Sequence, residues 1–283
     1  MLSAFLRGVH VVTLAQNVPG PLAAQRLARG GASVRKIEPP AGDPLLTLAP
    51  AWHAEMHVGV SIERLDLKLD AGRAALLAHL AHAQVLLTSQ RPSALVRLGL
   101  DTETLHRAVP VLRILRIVGS LEYPDEPGHD LTYQAAAGLL GDDMPRALVA
   151  DVMASERVYA GVLALLRMPE GTVLDVGMVE SLDAMQASLR HGLTVPGAAL
   201  GGGWGQYGLY DCREGRVAVA ALEPHFAARL RDTFGSTERQ VLAARFLERT
   251  ADEWAQWARQ QDLPITAVSS SESTVFPTLT AAP

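Results

Sequence analysis

The sequence predicts an α/β fold, in which an open and mostly parallel sheet flanked by helices is followed by a second, smaller α+β domain. Strand-like and helix-like segments alternate through residues 1–120, which favours a parallel sheet because parallel neighbours require crossover connections. A glycine-rich stretch at residues 196–208 then interrupts the chain, and an alternating segment typical of a β-hairpin follows it.

The first strand–helix–strand unit occupies the beginning of the chain. A valine-rich apolar run, VHVVTLA at residues 9–15, is typical of a buried strand. The loop NVPGP, a helix over LAAQRLARGG with a glycine stop, and a second strand over SVRKIEP complete the unit. No G-x-G-x-x-G loop follows the first strand, which disfavours an ordinary dinucleotide enzyme.

The same alternation continues to residue 120. A third strand is predicted over IERLDLK, then a helix over DAGRAALLAHLAHA and a strand over QVLLTS. Asp101 can act as the N-cap of a helix over DTETLHRAV, and the apolar run VLRILRIVGS is predicted to be another buried strand. These repeated units predict a Rossmann-like sheet in this half of the chain.

Two further helices each begin after a chain-breaking segment. His129 follows Pro127 and Gly128 and opens HDLTYQAAAGLL, whereas Asp151 opens DVMASERVYAGVLALL. The beginnings of helices carry free N–H donors and the positive end of the helix dipole, which suit an anionic intermediate. Two groups of different basicity at such positions are well placed to face one cavity, although a residue of either kind is more often a simple helix cap.

The predicted domains are a large one at residues 1–195, a linker at 196–208 and a small α+β domain at 209–268. A strand running into a long helix, GTVLDVGMVESLDAMQASL, lies near the end of the large domain. The small domain begins with a hairpin over LYDCREGRVAVAAL and continues with helices over EPHFAARLRDTF and 237–262. The Ser/Thr-rich tail at 269–283 is predicted to be poorly ordered unless it docks elsewhere.

Composition and charge limit the possible function classes. The chain has 283 residues, of which 48% are hydrophobic and 19% charged, as is typical of globular proteins. A formal net charge of −5 disfavours nucleic-acid binding, which usually requires an excess of basic residues. Cys212 is the one cysteine, so neither a disulfide framework nor a cysteine zinc site can form within one chain, and a reducing cytoplasm is the expected location. No apolar run reaches about 18 residues, so no membrane-spanning helix is expected.

Two histidines four residues apart, His53 and His57, have the spacing of a zinc pair if they lie on a helix. Their order differs from that of the H-E-x-x-H motif, and solvated residues on one helix face are the preferred interpretation. We therefore expect no metal site in this chain.

Basic residues follow several predicted strands in the first half of the chain. Surface solubility would explain any one of them. As a set, however, they could line the carboxyl edge of the sheet, where open α/β folds bind ligands, and would suit a phosphorylated carrier molecule. The members of this set are Lys36, Lys68, Arg91 and Arg97.

Taken in order, the segments resemble the family III CoA-transferase superfamily, and within it the α-methylacyl-CoA racemase branch. The resemblance covers about residues 6–268 and rests on the shared order and spacing of the motifs. The motifs that carry it are LRGVHVVTLAQNVPGPLAAQRLARGGASVRKIEPPAGDP, RLDLK, LLTSQRPSALVRLGLD, PGHDLTYQAAAGLL, VADVMASERVYAGVLALL, VLDVGMVESLDAM and LYDCREGRVAVAALEPHF.

The resemblance implies an acyl-CoA substrate, with coenzyme A as part of that substrate and no metal or redox cofactor. The positions at which similar sequences carry CoA-contacting basic residues are Lys36, Lys68, Arg91 and Arg97. The loop that packs near the CoA in such proteins corresponds here to Asn17, Val18 and Pro19. The resemblance also implies a homodimer and leaves open whether this dimer is interlocked, because relatives continue into a long return segment where this chain ends.

Three residues distinguish the racemase branch from the transferases. Transferases share an aspartate equivalent to Asp151, which is there the nucleophile that forms an acyl anhydride, but they usually lack the histidine of Gly-His-Asp. Racemases have both residues and a glutamate in a Glu-Pro pair, and His129, Asp151 and Glu223 are all present here. The set implies an enzyme that epimerises the α-carbon of 2-methylacyl-CoA thioesters.

The implied mechanism needs a base on each face of the α-carbon. His129 and Asp151 would fill these roles, while Glu223 would orient or charge-balance the imidazole. A helix N-terminal N–H beside Asp151 is expected to stabilise the enolate intermediate.

Two alternatives to the racemase stay open. The first is a CoA-transferase that uses Asp151 as nucleophile to move CoA between carboxylic acids. The second is a catalytically degenerate member that binds CoA esters, because similar sequences carry glycines after the Asp151 position and larger residues there are expected to narrow the site. The residues that replace those glycines are Val152, Met153, Ala154 and Ser155.

Overall fold

The computed structural model describes residues 4–269, which divide between Gln186 and Ala187 into two compact units. The first unit contains a six-stranded parallel sheet with helices around it, and the second contains a three-stranded antiparallel sheet with its own helices. The predicted fold class is therefore confirmed. The expected boundaries at residues 195, 208 and 268 stay a prediction.

The parallel sheet has the strand order β3-β2-β1-β4-β5-β6. The chain therefore adds strands to one side of β1, returns to place β4 on its other side, and continues outward from there. The crevice between β1 and β4, where the direction reverses, is the usual ligand site of such sheets. The strand bounds are β1 His10–Thr13, β2 Ser33–Glu38, β3 Val60–Arg64, β4 Val85–Thr88, β5 Arg113–Val118 and β6 Val173–Gly177.

Helices cover both faces of this sheet, because its central strands are apolar on both sides. All four residues of β4 are buried, and one core cluster lies on each face of the sheet, the first including Leu27 and Val158 and the second including Leu76 and Leu105. The helices of the first unit are α1 Pro19–Arg29, α2 Pro44–Leu48, α3 Pro50–Met56, α4 Asp70–Leu80, α5 Pro92–Leu98, α6 Thr102–Ala108, α7 Asp130–Ala136 and α8 Val149–Leu165, followed by α9 Asp183–Arg190, which crosses the division.

Several helix ends follow the sequence signals, and one does not. The Asp101 carboxylate accepts the Thr104 N–H at 3.0 Å, as expected of the N-cap of α6. Helix α8, however, begins at Val149, so Asp151 is its third residue and not its first. Ala150, in this first turn, is fully buried in the core.

The second unit is a small sheet packed on aromatic side chains. Its antiparallel order is β7-β8-β9, and the predicted hairpin turns at Gly215, which has a left-handed φ of +76°. Phe234, Phe246 and Trp254 form its core with ring centroids 5.3 to 5.5 Å apart. Its elements are β7 Tyr207–Asp211, β8 Arg216–Ala220, α10 Pro224–Phe234, α11 Arg239–Phe246, α12 Ala251–Gln260 and β9 Ile265–Ala267.

Two further expectations concern membrane-spanning helices and the C-terminal tail. Within residues 4–269, none of the helices combines the length and the apolar character that crossing a bilayer requires. The predicted disordered tail lies outside the described residues from position 270 onward.

Candidate active site

A cavity of about 230 Å³ lies at the carboxyl ends of β1, β4, β5 and β6, beside the point where the strand order reverses. Loops that leave four strands of one parallel sheet converge there, as is usual for ligand sites in this architecture. The cavity is lined by Gln16, Asn17, Pro19, Ser89, Arg91, Ile117, Val118, Gly119, Pro124, Glu126, Gly128, His129, Tyr133, Asp151 and Met178.

His129 reaches this cavity from the beginning of α7. Its backbone is extended, with φ −138° and ψ 170°, as an N-cap requires. Its N–H donates to the Thr132 hydroxyl at 3.0 Å, and this hydroxyl in turn donates to the His129 carbonyl at 2.8 Å. These bonds fix the backbone of His129, and the residue lines the cavity.

Asp151 lines the same cavity from the first turn of α8. Burial, and secondly the negative charge of Asp130, raise the pKa of its carboxyl group to about 7. A group with such a pKa is close to half protonated at neutral pH, so it can act both as base and as acid. The sequence-predicted pair, His129 and Asp151, is thus brought together at one cavity.

Asp130 connects the two helices, and the sequence did not single it out. Its buried carboxylate accepts the Asp151 N–H at 3.1 Å and the Gln134 side-chain amide at 2.6 Å. Gln134 also donates to the Ala147 carbonyl at 3.1 Å, just before α8. We expected a backbone N–H beside Asp151 to stabilise the enolate. The N–H of Asp151 itself does not fit this role, because it already donates to the Asp130 carboxylate.

Glu223 belongs to the second unit, unlike the other two predicted catalytic groups. It is exposed and directly precedes α10, where Pro224 is the first helical residue. Its catalytic role stays a prediction.

The predicted CoA-binding residues divide into three groups. Asn17, Pro19 and Arg91 line the cavity. Val18, which lies between Asn17 and Pro19 in the sequence, is buried, with 3% of its surface exposed. Lys68 and Arg97 are exposed but do not line the cavity.

Lys36 differs from these residues, because it is fully buried. Its ammonium lies 2.5 Å from Asp43 Oδ2, 3.1 Å from Glu38 Oε1 and 2.9 Å from His57 Nε2. All three ammonium protons therefore have partners. The prediction that Lys36 contacts CoA is wrong for this arrangement, since β2 continues beyond this residue and the side chain lies inside the protein.

His53 and His57 complete the Lys36 cluster, which we define as Lys36, Glu38, Asp43, His53 and His57. The expectation that both histidines lie on a solvated face is wrong, since they are only 6% and 9% exposed. The His57 Nδ1–H donates to the His53 carbonyl at 2.6 Å, and burial lowers the pKa of His57, so its Nε2 accepts from Lys36.

The ligand atoms of Glu38, His53 and His57 lie within 4.8 Å of one another, close enough to hold a metal ion. The Lys36 ammonium, however, contacts two of these three groups, and its positive charge opposes a bound cation. The structure therefore favours an ion-pair cluster at this position.

The residues that replace the glycines after Asp151 stay clear of the cavity. Ala154 and Ser155 are fully buried, Met153 packs against the core, and the Ser155 hydroxyl donates to the Val152 carbonyl at 2.7 Å. None of the four lines the cavity. These four residues therefore do not narrow this cavity, contrary to the expectation.

Comparison with known proteins places this architecture in a family. The family described as CoA-transferase family III matches residues 6–281. A cinnamoyl-CoA:phenyllactate CoA-transferase of Clostridium sporogenes is 41% identical over 145 residues, which are 46% of this chain and only 35% of that protein. An alpha-methylacyl-CoA racemase of Mus musculus is 29% identical over 94% of this chain and 78% of its own length.

Solved structures agree in fold. A hypothetical protein of Mycobacterium tuberculosis superimposes with a TM-score of 0.82 at 22% identity, over 98% of this chain and 87% of that one. A CaiB/BaiF family protein of Brucella suis gives 0.80 at 20% identity, over 95% and 85%. At these identities the likeness concerns the fold alone.

Proposed function

Because the chain belongs to CoA-transferase family III, we propose that it epimerises the α-carbon of 2-methylacyl-CoA thioesters by proton transfer between two bases. The observation that carries the proposal is that His129 and Asp151, from two different helices, line one cavity. Similarity to an alpha-methylacyl-CoA racemase over 94% of this chain and 78% of that protein supports it.

The proposed reaction moves one proton at a time. One base removes the α-proton, and the electron pair left on the α-carbon delocalises into the thioester carbonyl, which becomes an enolate. The other base, already protonated, then delivers its proton to the opposite face, so the α-carbon is inverted and the two bases exchange protonation states. A carboxyl pKa of about 7 at Asp151 suits this scheme, because the group can then both take up and release a proton at neutral pH.

Substrate binding is proposed to use the rim of the same cavity. Arg91 offers a guanidinium to a CoA phosphate, and Asn17 and Pro19 contribute the loop after β1. Lys68 and Arg97 are exposed cations that could contact the remaining phosphates.

Glu223 stays the proposed third catalytic group. We also propose a cytoplasmic homodimer, whose mass would be twice 30.2 kDa in light scattering.

A second candidate function is CoA transfer with Asp151 as the nucleophile. The 41% identity to a CoA-transferase favours it, although that match covers under half of this chain. The raised pKa of Asp151 does not separate the two functions, because about half of these carboxyl groups are still ionised at neutral pH.

One experiment separates these functions. The protein is incubated with a single enantiomer of a 2-methylacyl-CoA in deuterated water, with and without a free carboxylate acceptor. A racemase incorporates deuterium at the α-carbon and loses optical purity, and both His129→Ala and Asp151→Asn abolish the reaction. Transfer of CoA to the acceptor without α-exchange would instead support the transferase. Binding of the ester with neither reaction would identify a degenerate member.

A further inference from the structure

The cavity contains a polar side chain that the two-base scheme leaves unused. Tyr133 lines the cavity together with His129 and Asp151 and is partly buried. Its N–H donates to the His129 carbonyl at 3.2 Å, so Tyr133 lies one helical turn after the N-cap residue. Because both side chains line the cavity, the phenol and the imidazole face the same space.

Two glycines make room for the phenol end of Tyr133. A Cβ atom on Gly128 would lie 2.5 Å from ring carbons and 2.6 Å from the hydroxyl of Tyr133. A Cβ atom on Gly119 would lie 2.8 Å from the same hydroxyl. Both glycines line the cavity. The hydroxyl is thus held between the loop after β5 and the residue before His129, at the cavity wall.

The Tyr133 hydroxyl is a donor without a protein acceptor. Within residues 4–269 this hydroxyl forms no hydrogen bond, yet it is not among the polar atoms that are both buried and unpaired. It is therefore accessible from the cavity. Burial and the nearby charge of Asp151 raise the pKa of Tyr133, so the phenol keeps its proton at neutral pH.

The proposed chemistry requires a donor of this kind. Negative charge develops on the thioester oxygen when the α-proton leaves, and a pre-positioned donor lowers the energy of that state. The Asp151 N–H cannot serve, because it is bonded to Asp130.

We infer that the Tyr133 hydroxyl donates a hydrogen bond to the thioester oxygen and stabilises the enolate. This inference rests on the proposed racemase function. The phenol keeps its proton throughout, so protons still move only between the α-carbon, His129 and Asp151.

The direct test is Tyr133→Phe, which removes the hydroxyl and keeps the ring. We expect kcat for α-deuterium exchange to fall about 100-fold while KM for the acyl-CoA changes little, because the hydroxyl acts mainly on the enolate. Tyr159→Phe is the matched control. Tyr159 is partly buried on α8 but does not line the cavity, so exchange should stay at the wild-type rate.

A second pair of variants tests the position of the ring. Gly128→Ala introduces a Cβ that displaces the phenol, so exchange should fall as in Tyr133→Phe. Gly141→Ala is the matched control, because a Cβ there meets no atom within 4 Å. Circular dichroism of each variant reports whether the fold is retained.

The outcomes are distinct. Undiminished exchange in Tyr133→Phe, a change in KM alone, or an equal loss in Tyr159→Phe would each overturn the role of Tyr133 while leaving the racemase proposal intact. Absence of exchange in the wild-type protein would overturn both.

Discussion

The chemistry of this site depends on two neighbouring carboxyl groups. Asp130 is buried and lies close enough to Asp151 to accept its backbone N–H, so its negative charge opposes ionisation of Asp151. The same contact caps α8. One side chain therefore positions the proposed base and also tunes its basicity.

Replacing Asp130 by asparagine should shift the pH dependence of catalysis. The change removes the negative charge and keeps an amide oxygen that can accept the Asp151 N–H. The pKa of Asp151 should then fall from about 7, although only part of the way, because burial is the larger cause of the shift. The acidic limb of the pH profile of kcat/KM should move to lower pH. A limb that stays in place or moves to higher pH would contradict this coupling.

The sequence predicted the two principal site residues but not their neighbours. His129 and Asp151 follow recognisable motifs, and their side chains face one cavity as expected. Asp130 and Tyr133 belong to the same motif as His129, yet their roles arise from contacts with Asp151, Gly119 and Gly128. Such contacts depend on the tertiary fold. The acidic residue directly after His129 was the one available signal.

At the scale of elements, the Lys36 cluster joins β2 to the helices that follow it. Asp43 accepts from Lys36, caps α2 through the Leu45 N–H at 2.9 Å, and accepts the Asn17 N–H at 3.1 Å. Asn17 has a left-handed φ of 64° and lines the cavity, so this buried carboxylate holds a loop at the cavity in a conformation that residues other than glycine rarely adopt.

Replacing Lys36 by methionine should destabilise the protein. Methionine fills a similar volume but leaves Asp43 as a buried carboxylate without its ion-pair partner, a change that costs about 3–5 kcal/mol. Chemical denaturation measures the free energy of unfolding. Lys68→Met is the matched control, because Lys68 is exposed and its loss should cost no more than about 0.5 kcal/mol. Equal stability of the two variants would contradict the importance of the cluster.

The error concerning Lys36 has a physical cause. A basic residue near the end of a predicted strand is expected to reach the ligand edge, but β2 extends through Glu38 and α3 packs over it. The alternation within β2 therefore determines the environment of Lys36. The short helices α2 and α3, which have a proline at their first turn, had no periodic pattern long enough to be predicted.

At the scale of the whole molecule, alternation along the chain was enough to predict a parallel sheet and a small second domain. It could not predict the strand order, because any right-handed arrangement of strand–helix–strand units satisfies the same pattern. The position of the cavity depends on that order, since it is the reversal beside β1 that places the loops after β4 and β5 next to the loop after β1.

The raised pKa of Asp151 should make the free energy of unfolding of the whole chain depend on pH. Its pKa is higher in the folded state, about 7, than the 3.8 of a free carboxyl, so the unfolded chain releases this proton first and stability falls as pH rises from about 4 to 7. Asp151→Asn cannot ionise. It should therefore be more stable than the wild type by about 4 kcal/mol at pH 8 and equally stable at pH 3.5. Unfolding curves at both pH values measure this, and a variant less stable at pH 8 would refute it.

The adjacency of His129 and Asp130 in the chain has a geometric consequence for the site. The peptide that carries one proposed base also anchors, through the next side chain, the helix that carries the other. The separation between the His129 and Asp151 side chains therefore depends on this contact, and a side chain of another length at position 130 would change it. In the proposed reaction both groups must reach the α-carbon from opposite sides, so we expect residue 130 to influence which acyl groups fit between them.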